Sequence, residues 1–436
     1  MNETPDRLRL LFSDLHGIER GKYLLGDWLE RHGANFCIGT FPLTFDKEIL
    51  PIPGLQFDIG LPDMEAHLDH DTLRTCWEPG TRVGLGDIRF RGAPLALDSR
   101  EILRRAIEPW LAKGLVPQLA FEFEFFLLEP DGDGGWRPIT LPSHRVYGTG
   151  QAVDPLGIVD EIVAAAVRCG FPVEGWGSEF DTSSYEVNIR YRDALQAADD
   201  AFLFRVLVHE IVARRGYLAT FMGRPFNERG GSGLHANISF RSQRDGSNAM
   251  ADPSAPDGLS RLAHHCVAGM LEHHLGLAAL CAPTVNAYKR LQPDMLNGYW
   301  ANWGYDDRTV GVRVAPDRGA STRLENRVPD GAVNPYLASA ALLHACRMGV
   351  EAEMEPPAPQ RPGAEPSTDV HIPATLQEAL VELDKDTALR EALGEDVVTA
   401  FTMLKEAEWK RYTEAVPDPS TIEVTDWEVG YYLPFY

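Results

Sequence analysis

Alternating apolar and polar positions predict strands that carry reactive side chains along the middle of the chain. In residues 121–126, FEFEFF, the acids Glu122 and Glu124 stand two apart among phenylalanines. Successive side chains of a strand point to opposite faces, so both acids share one face. The same spacing recurs in His235, Asn237 and Ser239 and in Arg323, Glu325 and Arg327. Acids on an otherwise buried strand are costly unless something neutralises them, which favours bound cations.

Periodic apolar stretches of helical length predict helices among these strands. We expect one helix to open at Asp98-Ser99-Arg100-Glu101, with Ser99 as its N-cap, and to stop at Gly114. Further helices are predicted over residues 155–169, 194–215, 259–280, 334–350 and 375–413. The Pro-rich residues 351–373 are weakly periodic, which predicts a surface loop.

This order of elements predicts an α+β protein with two domains. Residues 1–95 hold short strand-like runs and turn residues, which predicts a small N-terminal domain. In residues 96–436 apolar runs of strand length alternate with long helices, which predicts a large domain around a mixed sheet. The chain has 436 residues, 44% of them hydrophobic, and can therefore bury a large core.

Charge and cysteine content narrow the classes of function. The chain has 64 acidic and 41 basic residues, a net charge of −23, and no basic block. This argues against nucleic acid and anionic membrane as partners, because both require clustered Lys and Arg. The six cysteines are widely spread without a CxxC pair and read as reduced thiols. The N-terminus is acidic and polar, unlike a signal peptide, so we expect a cytoplasmic protein.

Five glutamates and one histidine in these segments form the set that two divalent cations would need. They are Glu122, Glu124, Glu179, Glu186, Glu325 and His235. Hard cations prefer carboxylate oxygens, and one imidazole suits Mn²⁺ as well as Mg²⁺. Flanking arginines suit phosphate, because a planar guanidinium binds two of its oxygens. The alternative is that Glu179 and Glu186 are surface acids and His235 is a satisfied core histidine.

The order and spacing of these segments resemble the glutamine synthetase family. The resemblance covers essentially the whole chain, from Asp63-Met64 and Asp69 through Asn334-Pro335-Tyr336 to Thr425-Asp426-Trp427-Glu428. It implies a β-grasp-like N-terminal domain and a catalytic domain with a curved, mixed or antiparallel sheet flanked by helices. It also implies a homo-oligomer, a dodecamer, in which each active site lies between neighbouring subunits. In such an assembly Asp46 and Glu48 would reach a neighbour's site.

The resemblance implies two metal sites and a nucleotide site. One Mg²⁺ or Mn²⁺ would be held by Glu124, Glu179 and Glu186, and the other by Glu122, His235 and Glu325. Glu174 would contact the sugar of ATP and Ser239 would lie near its base, while Arg313 and Arg323 would hold the phosphates. The family typically has a second histidine where this chain has Asn237, which leaves the adenine contact open.

The resemblance also implies a glutamate site and phosphoryl transfer. Arg290 would bind the α-carboxylate of glutamate and Arg327 its γ-carboxylate, while Glu124 and the Gly231 backbone would meet the α-amino group. Arg308 would reach the transferring phosphoryl group. The γ-carboxylate would attack ATP to give γ-glutamyl phosphate, which an amine then attacks. Gly230, directly before Gly231, replaces the asparagine that is usual in the family, so one substrate hydrogen bond is lost or supplied from elsewhere.

The amine half departs from the family pattern. Ammonia-using members have a glutamate six residues after the substrate arginine, where this chain has Leu296. The other acid of the ammonium site corresponds only weakly to Asp46. An organic amine, such as a polyamine, an alkylamine or an ethanolamine-like compound, could instead lie against an apolar wall. We expect that wall to comprise Leu296, Tyr299, Trp300 and Trp303, although these aromatics could equally be core residues.

Two other functions stay open. An ordinary glutamine synthetase could build its ammonium site from other residues, such as Asp46 or Asp294. A catalytically silent homologue could bind glutamate or nucleotide as a sensor. Retention of all six metal ligands and of Arg308 argues against the silent homologue, because a binding module has no use for an arginine that stabilises a phosphoryl group.

Overall fold

The computed structural model describes residues 7–26, 33–293 and 295–436 and builds them around two β-sheets. The N-terminal sheet has the strand order β2-β1-β5-β4-β3, and β6 pairs with β5. Its strands are β1 Arg7–Ser13, β2 Glu19–Leu25, β3 Gly33–Cys37, β4 Asp63–Thr75, β5 Thr81–Phe90 and β6 Ala93–Pro94. The central pair β1 and β5 is parallel and the other pairs are antiparallel, which fits the predicted β-grasp-like arrangement.

The second sheet has nine strands in the described part of the chain, with the order β13-β14-β15-β12-β7-β10-β9. Two short strands, β8 and β11, also pair with β7. Its strands are β7 Leu115–Pro130, β8 Trp136–Pro138, β9 Val173–Ser178, β10 Ser184–Asp193, β11 Leu218–Thr220, β12 Leu234–Ser242, β13 Trp303–Tyr305, β14 Val312–Val314 and β15 Leu324–Asn326. Only β13 and β14 are parallel, so the sheet is mixed and mostly antiparallel.

Eleven α-helices among the described residues complete the α+β fold, which confirms the predicted class. They are α1 Ser99–Ala112, α2 Ile158–Arg168, α3 Ala194–Arg214, α4 Arg261–Glu272, α5 His274–Cys281, α6 Ala287–Arg290, α7 Pro335–Glu351, α8 Leu376–Lys385, α9 Thr387–Leu393, α10 Glu395–Ala415 and α11 Asp426–Tyr432. Single 3₁₀ turns occur at Ile38–Thr40, Phe57–Ile59, Gly150–Ala152 and Gly319–Ser321.

The helix termini correct the predicted boundaries in three places. Asp98, not Ser99, caps α1, because its carboxylate accepts the backbone N–H of Arg100. The helix predicted over residues 259–280 is interrupted at His273, which separates α4 from α5. The final helical region is three helices, since Asp386 caps α9 and Gly394 at φ +104° precedes α10.

Buried polar side chains join the N-terminal sheet to the helices. The guanidinium of Arg100 on α1 donates to Asp69 at 2.8 Å and to Asp87, both on the sheet, and to Asp199 on α3 at 2.8 Å. Asn334, the N-cap of α7, donates to the backbone oxygen of Asp14 at 2.9 Å. The domain boundary predicted after residue 95 falls between β6 and α1 and stays a prediction. No described helix is long and apolar enough to cross a membrane.

Candidate active site

Strand register places the predicted acids and histidine side by side on one face of the second sheet. His235 on β12 lies opposite Glu122 on β7, and Glu186 on β10 lies opposite Glu124 on β7. Glu325 on β15 lies opposite Asn237 on β12. Directly opposed residues point to the same face, so the two-residue spacing within each strand becomes a block across four strands.

One group on this face has the geometry of a cation site. The ligand atoms of Glu122, His235 and Glu325 all lie within 4.8 Å of one another. His235 Nδ1 is 3.3 Å from Glu122 Oε2 and 3.6 Å from Glu325 Oε1. Two carboxylates and an imidazole suit Mg²⁺ or Mn²⁺ in this buried position, so the residues fit the predicted metal set.

The three acids assigned to the second cation lie beside this group but are less closely gathered. Glu124 Oε1 is 3.8 Å from His235 Nε2. Burial raises the pKa of Glu186 to about 8, with help from the neighbouring charges of Glu122 and Glu124. Burial, together with Glu124, also raises the pKa of Glu179. Such crowding of carboxylates is what a divalent cation relieves, because its charge stabilises their ionised forms.

The pKa of Glu122 is shifted in the opposite direction. Burial alone would raise the pKa of this carboxyl, but hydrogen bonds from His235 and Asn237 lower it to about 2. Glu122 therefore stays ionised at neutral pH and can serve as an anionic ligand. The same face thus lowers the pKa of one acid through its hydrogen-bond donors and raises the pKa of another mainly through burial.

The arginines of this face surround Glu325, a fully buried acid. Arg313 Nη1 is 2.6 Å from Glu325 Oε2, and Arg327 Nη1 donates to Glu325 Oε1. Arg313 also pairs with Asp306 at 2.5 Å. Arg313 was predicted to hold ATP phosphates, but in this structure its guanidinium is occupied by two carboxylates.

Three of the four predicted nucleotide residues line one cavity of about 350 Å³. They are Glu174, Ser239 and Arg323, and Arg313 is absent from the lining. The wall is completed by residues from β7, β10, β12 and the loop before β15, which include Glu122, Asn188, Tyr191, Asn237 and Asp317. The cavity therefore reaches from the cation group to an exposed rim and mixes acidic, amide and cationic side chains.

Arg290, predicted to bind the α-carboxylate, is a buried cation that forms no direct ion pair among the described residues, although the charges of Glu124 and Asp330 act on it. Its guanidinium donates only to the backbone oxygens of Val328 at 3.0 Å and Arg327 at 3.2 Å. A buried guanidinium without a direct carboxylate contact is costly, and an anionic ligand that contacts it would reduce this cost. Burial accordingly lowers the pKa of Arg290.

The glycine loop before β12 packs closely on Arg290. A Cβ at Gly231 would lie 2.4 Å from the Gly223 oxygen and 2.8 Å from Arg290 Cγ, so only glycine fits there. The N–H of Gly233 donates to Glu124 at 2.6 Å, and that of Gly230 donates to the carboxylate of Asp181. Asp181 thus holds the loop at Gly230, the residue that replaces the asparagine usual in the family.

Arg308 stands in the loop between β13 and β14 and is exposed. Its charge lowers the pKa of Glu179, although burial and Glu124 outweigh that effect. Contact between this guanidinium and a transferring phosphoryl group stays a prediction.

Comparison with known proteins decides what this site belongs to. Residues 96–432 match the family model described as the glutamine synthetase catalytic domain. The chain is 33% identical to the γ-glutamylethanolamide synthetase GlnA4 of Streptomyces coelicolor, over 97% of this chain and 92% of that protein. The chain belongs to the glutamine synthetase family. It is accordingly an ATP-dependent carbon–nitrogen ligase.

Other relatives in this family include both amine ligases and glutamine synthetases. The glutamate–isopropylamine ligase of a Pseudomonas species is 31% identical over 98% of this chain and 95% of its own. The glutamine synthetase of Thermus thermophilus is 35% identical over 79% of this chain and 77% of its own. Among solved structures, apo GmaS without ligand superposes with a TM-score of 0.83 at 28% identity, covering 98% of this chain and 96% of that one.

The segment in which this chain departs from the glutamine synthetase pattern is a tethered loop between α6 and β13. The side-chain amide of Asn297 donates to the backbone oxygens of Arg290 at 2.7 Å and Gln292 at 3.1 Å. Arg327 Nη2 donates to the backbone oxygen of Leu296 at 3.1 Å, while the Leu296 side chain is 65% exposed. Leu296 is thus held beside the arginine predicted to bind the γ-carboxylate.

The predicted aromatic wall is only partly available. Trp303 is 2% exposed and its indole N–H donates to the Pro357 oxygen at 2.7 Å, so Trp303 is a core residue rather than a pocket wall. Tyr299 stacks on His371 at 4.9 Å, and Trp300 meets the edge of both rings. Trp300 is partly exposed, and its place in the wall of an amine pocket stays a prediction.

Asp46, the weak counterpart of an ammonium-site acid, is paired within its own chain. Its Oδ2 lies 2.7 Å from Arg411 Nε on α10, and Glu48 also receives a hydrogen bond from Arg411. Asp294, the other acid considered for an ammonium site, lies outside the described residues. The role of Asp46 and Glu48 in a neighbouring subunit stays a prediction.

Two exposed aromatic residues beside the acid cluster were missed by the sequence analysis. Phe180 directly follows Glu179 and is 81% exposed. Tyr147 is 76% exposed, has a φ of +55°, and its backbone N–H donates to the Ser178 oxygen at 2.9 Å. A large apolar residue next to a predicted metal ligand could have indicated Phe180. Tyr147 is 32 residues away from Glu179 in the sequence, and its local pattern indicates nothing about this contact.

Proposed function

We propose that this protein joins L-glutamate, through its γ-carboxyl group, to an organic amine in an ATP-dependent reaction. The observation that carries the proposal is the exposed, apolar Leu296, tethered by its backbone oxygen to Arg327 where ammonia-using relatives have an acid. An alkyl side chain cannot bind or deprotonate ammonium, whereas it can pack against the carbon substituent of a larger amine. Two relatives whose names specify an organic amine, at 33% and 31% identity, support the proposal, while glutamine synthetases match the chain at similar identity and coverage.

In the proposed reaction the first step, formation of γ-glutamyl phosphate, takes place at the strand face that carries the acids and arginines. Arg290 binds the α-carboxylate, while Glu124 and the Gly231 backbone orient the α-amino group. Arg327 holds the γ-carboxylate in position to attack the terminal phosphate of ATP, which lies in the cavity lined by Glu174, Ser239 and Arg323. The new bond joins the carboxylate oxygen to phosphorus and ADP leaves, which gives γ-glutamyl phosphate.

In this proposal, Arg308 and bound cations neutralise the charge that develops during this step. Arg308 would stabilise the transferring phosphoryl group, a role in which arginine accelerates reactions by about 10³-fold or more. Two Mg²⁺ or Mn²⁺ ions, held by the six predicted ligands, would supply Lewis-acid charge to the phosphate oxygens. Arg313 and Arg327 fix the buried Glu325 carboxylate, so this ligand is pre-oriented.

The second step takes place at the loop side. The amine nitrogen attacks the acyl carbon of γ-glutamyl phosphate, phosphate leaves, and the nitrogen loses a proton. The substituent of the amine would lie towards Leu296, Trp300 and the exposed rings of Phe180 and Tyr147. Phe180 follows Glu179 in the sequence, and the backbone oxygen of Leu296 accepts a hydrogen bond from Arg327. The exposed apolar surface of these side chains suits an amine with an apolar part.

The proposal is tested by phosphate release from ATP and L-glutamate with Mg²⁺ or Mn²⁺. The amines should include ammonium, alkylamines, diamines, polyamines and ethanolamine, and each product should be identified by mass. We expect one organic amine to be used far better than ammonium. Turnover with ammonium alone would instead show a glutamine synthetase with a rebuilt ammonium site, and ATP binding without any turnover would show a silent homologue.

A further inference from the structure

Asn237 lies between an acid of the cation group and an arginine of the nucleotide cavity. Its Nδ2 donates to Glu122 Oε1 at 3.0 Å, and its Oδ1 accepts a hydrogen bond from Arg323 Nε at 3.2 Å. The side chain is 6% exposed and lines the cavity. One neutral amide therefore bridges the two parts of the site that must act on the same nucleotide.

The chemistry of the two partners fixes the orientation of this amide. Only the amide nitrogen can donate to a carboxylate, and only the amide oxygen can accept from a guanidinium. A residue that satisfies both must carry one donor and one acceptor. A carboxylate has acceptors only and would repel Glu122, while an alkyl group would leave a polar atom of each partner without its bond.

The bridge also keeps Glu122 and Arg323 from pairing directly. Among the described residues Arg323 forms its ion pair with the exposed Asp317 at 3.1 Å, on the rim of the cavity. Glu122 keeps its second oxygen towards His235. A direct ion pair between them would occupy a Glu122 oxygen that a cation needs, and it would add to the pairing that Arg323 already has with Asp317. With Asn237 between them, both charges face their own ligands.

We propose that Asn237 is a positioning residue that couples cation binding to nucleotide binding. It orients Glu122 for a divalent cation and Arg323 for the nucleotide phosphates. Binding of one ligand therefore fixes the side chain that the other ligand contacts. This inference rests on the proposed use of the cavity for ATP. The inference goes beyond the proposed function because it assigns a specific role to Asn237, which replaces the histidine that is usual in the family.

Three variants separate the two hydrogen bonds. Asn237→Leu removes both, Asn237→Asp keeps the acceptor but adds a charge beside Glu122, and Asn237→His keeps one donor and one acceptor in a neutral ring. Asn188→Leu is the matched control, because Asn188 lines the same cavity and donates to a different acid, Glu186, at 2.9 Å. It has no hydrogen bond to an arginine among the described residues.

The measurement is calorimetric titration of the whole protein with Mn²⁺ in the presence and absence of ADP, with the KM values for ATP and glutamate alongside. In the unmodified protein ADP should tighten Mn²⁺ binding, and Asn237→Leu should reduce this coupling by about 10-fold. Asn237→Asp should raise the KM for ATP by about 10-fold, since the new carboxylate pairs with Arg323, without raising that for glutamate. Asn237→His should keep the coupling, and Asn188→Leu should weaken Mn²⁺ binding without changing the effect of ADP.

Different results would overturn different claims. If the unmodified protein binds Mn²⁺ and ADP and is active, but Asn237→Leu couples them equally well, the role of Asn237 is refuted and the proposed function stands. If the unmodified protein binds neither ligand, both claims fail. Thermal unfolding of each variant identifies loss of fold, and Asn237→His and Asn237→Asp provide the decision if Asn237→Leu does not fold.

Discussion

The two halves of the proposed site are built on different kinds of structure. The core of the acyl-phosphate half lies on or next to paired strands, where the buried Glu325 accepts hydrogen bonds from Arg313 and Arg327. In the proposed reaction, Arg290 from α6 and Arg308 from a loop join this core. The amine half lies on loops, where the side chains of Leu296 and Phe180 are exposed. Leu296 is fixed through its backbone oxygen, which accepts a hydrogen bond from Arg327. Changing a strand residue disturbs several partners, whereas a loop side chain can change alone. The amine half is therefore where specificity can vary within a common reaction.

The sharpest way to break this comparison is to remove the exposed arginine of the first half. Arg308→Ala should lower kcat by about 10³-fold, because the phosphoryl group loses its main cationic partner from the protein. Steady-state kinetics with saturating ATP and glutamate would measure the loss. Arg308 is exposed, so the melting temperature should stay unchanged. A loss of kcat smaller than about 10-fold would remove Arg308 from the phosphoryl-transfer step.

The next largest effect should come from Arg290, the buried arginine that forms no direct ion pair among the described residues. Arg290→Met keeps the apolar stem but removes the charge, and it should raise the KM for glutamate by about 10- to 100-fold, since hydrogen bonds between charged groups are worth about 1.5–3 kcal/mol. The KM for ATP serves as the internal control. Equal increases in both KM values would show a general disturbance of the fold instead of loss of the α-carboxylate contact.

The loop half should respond in specificity rather than in rate. Leu296→Glu should shift the ratio of organic amine to ammonium turnover by about 10-fold towards ammonium, because the apolar contact is lost and an acidic group is restored. Leu296→Met, similar in size and apolar, should leave the ratio unchanged. Ratios that are identical in all three proteins would show that Leu296 does not contact the amine.

The smallest effect is expected at the ion pair between Asp46 and Arg411. Both side chains are partly exposed, so the pair contributes at most about 1 kcal/mol to stability. Asp46→Asn and Arg411→Ala should each lower the melting temperature slightly and leave amine turnover nearly unchanged. A large loss of activity in Asp46→Asn but not in Arg411→Ala would indicate that Asp46 acts in an amine site, in its own chain or in a neighbour.

The strand half was predictable from sequence because a period of two residues places side chains on one face. Glu122 and Glu124 required only that residues 121–126 form a strand, and the structure places them in β7. The pairing of Arg313 with Glu325 was not predictable, because it depends on which strand lies beside β15. Arg313 was therefore predicted to face phosphate.

The loop half was less predictable because no period relates a loop residue to its surroundings. From the sequence, Trp300 and Trp303 were both predicted to form the apolar wall. Trp303 begins a strand and is buried, whereas Trp300 lies at the end of the tethered loop. Leu296 was found only through its departure from the family pattern. Tyr147 needed the fold, since its place near Glu179 depends on a backbone hydrogen bond to Ser178 from a separate loop. Phe180 follows Glu179 directly in the sequence and could have been found there.

The central claim, an intact acyl-phosphate half with an amine half suited to an organic amine, is tested most directly by competition in one reaction. The protein would receive ATP, L-glutamate, Mg²⁺ and equal concentrations of ammonium and one organic amine, and the two products would be counted by mass. Both amines then compete for the same γ-glutamyl phosphate. We predict that the γ-glutamyl amide of the organic amine exceeds glutamine by at least about 10-fold for one class of amine. Glutamine as the main product against every amine offered would contradict the account.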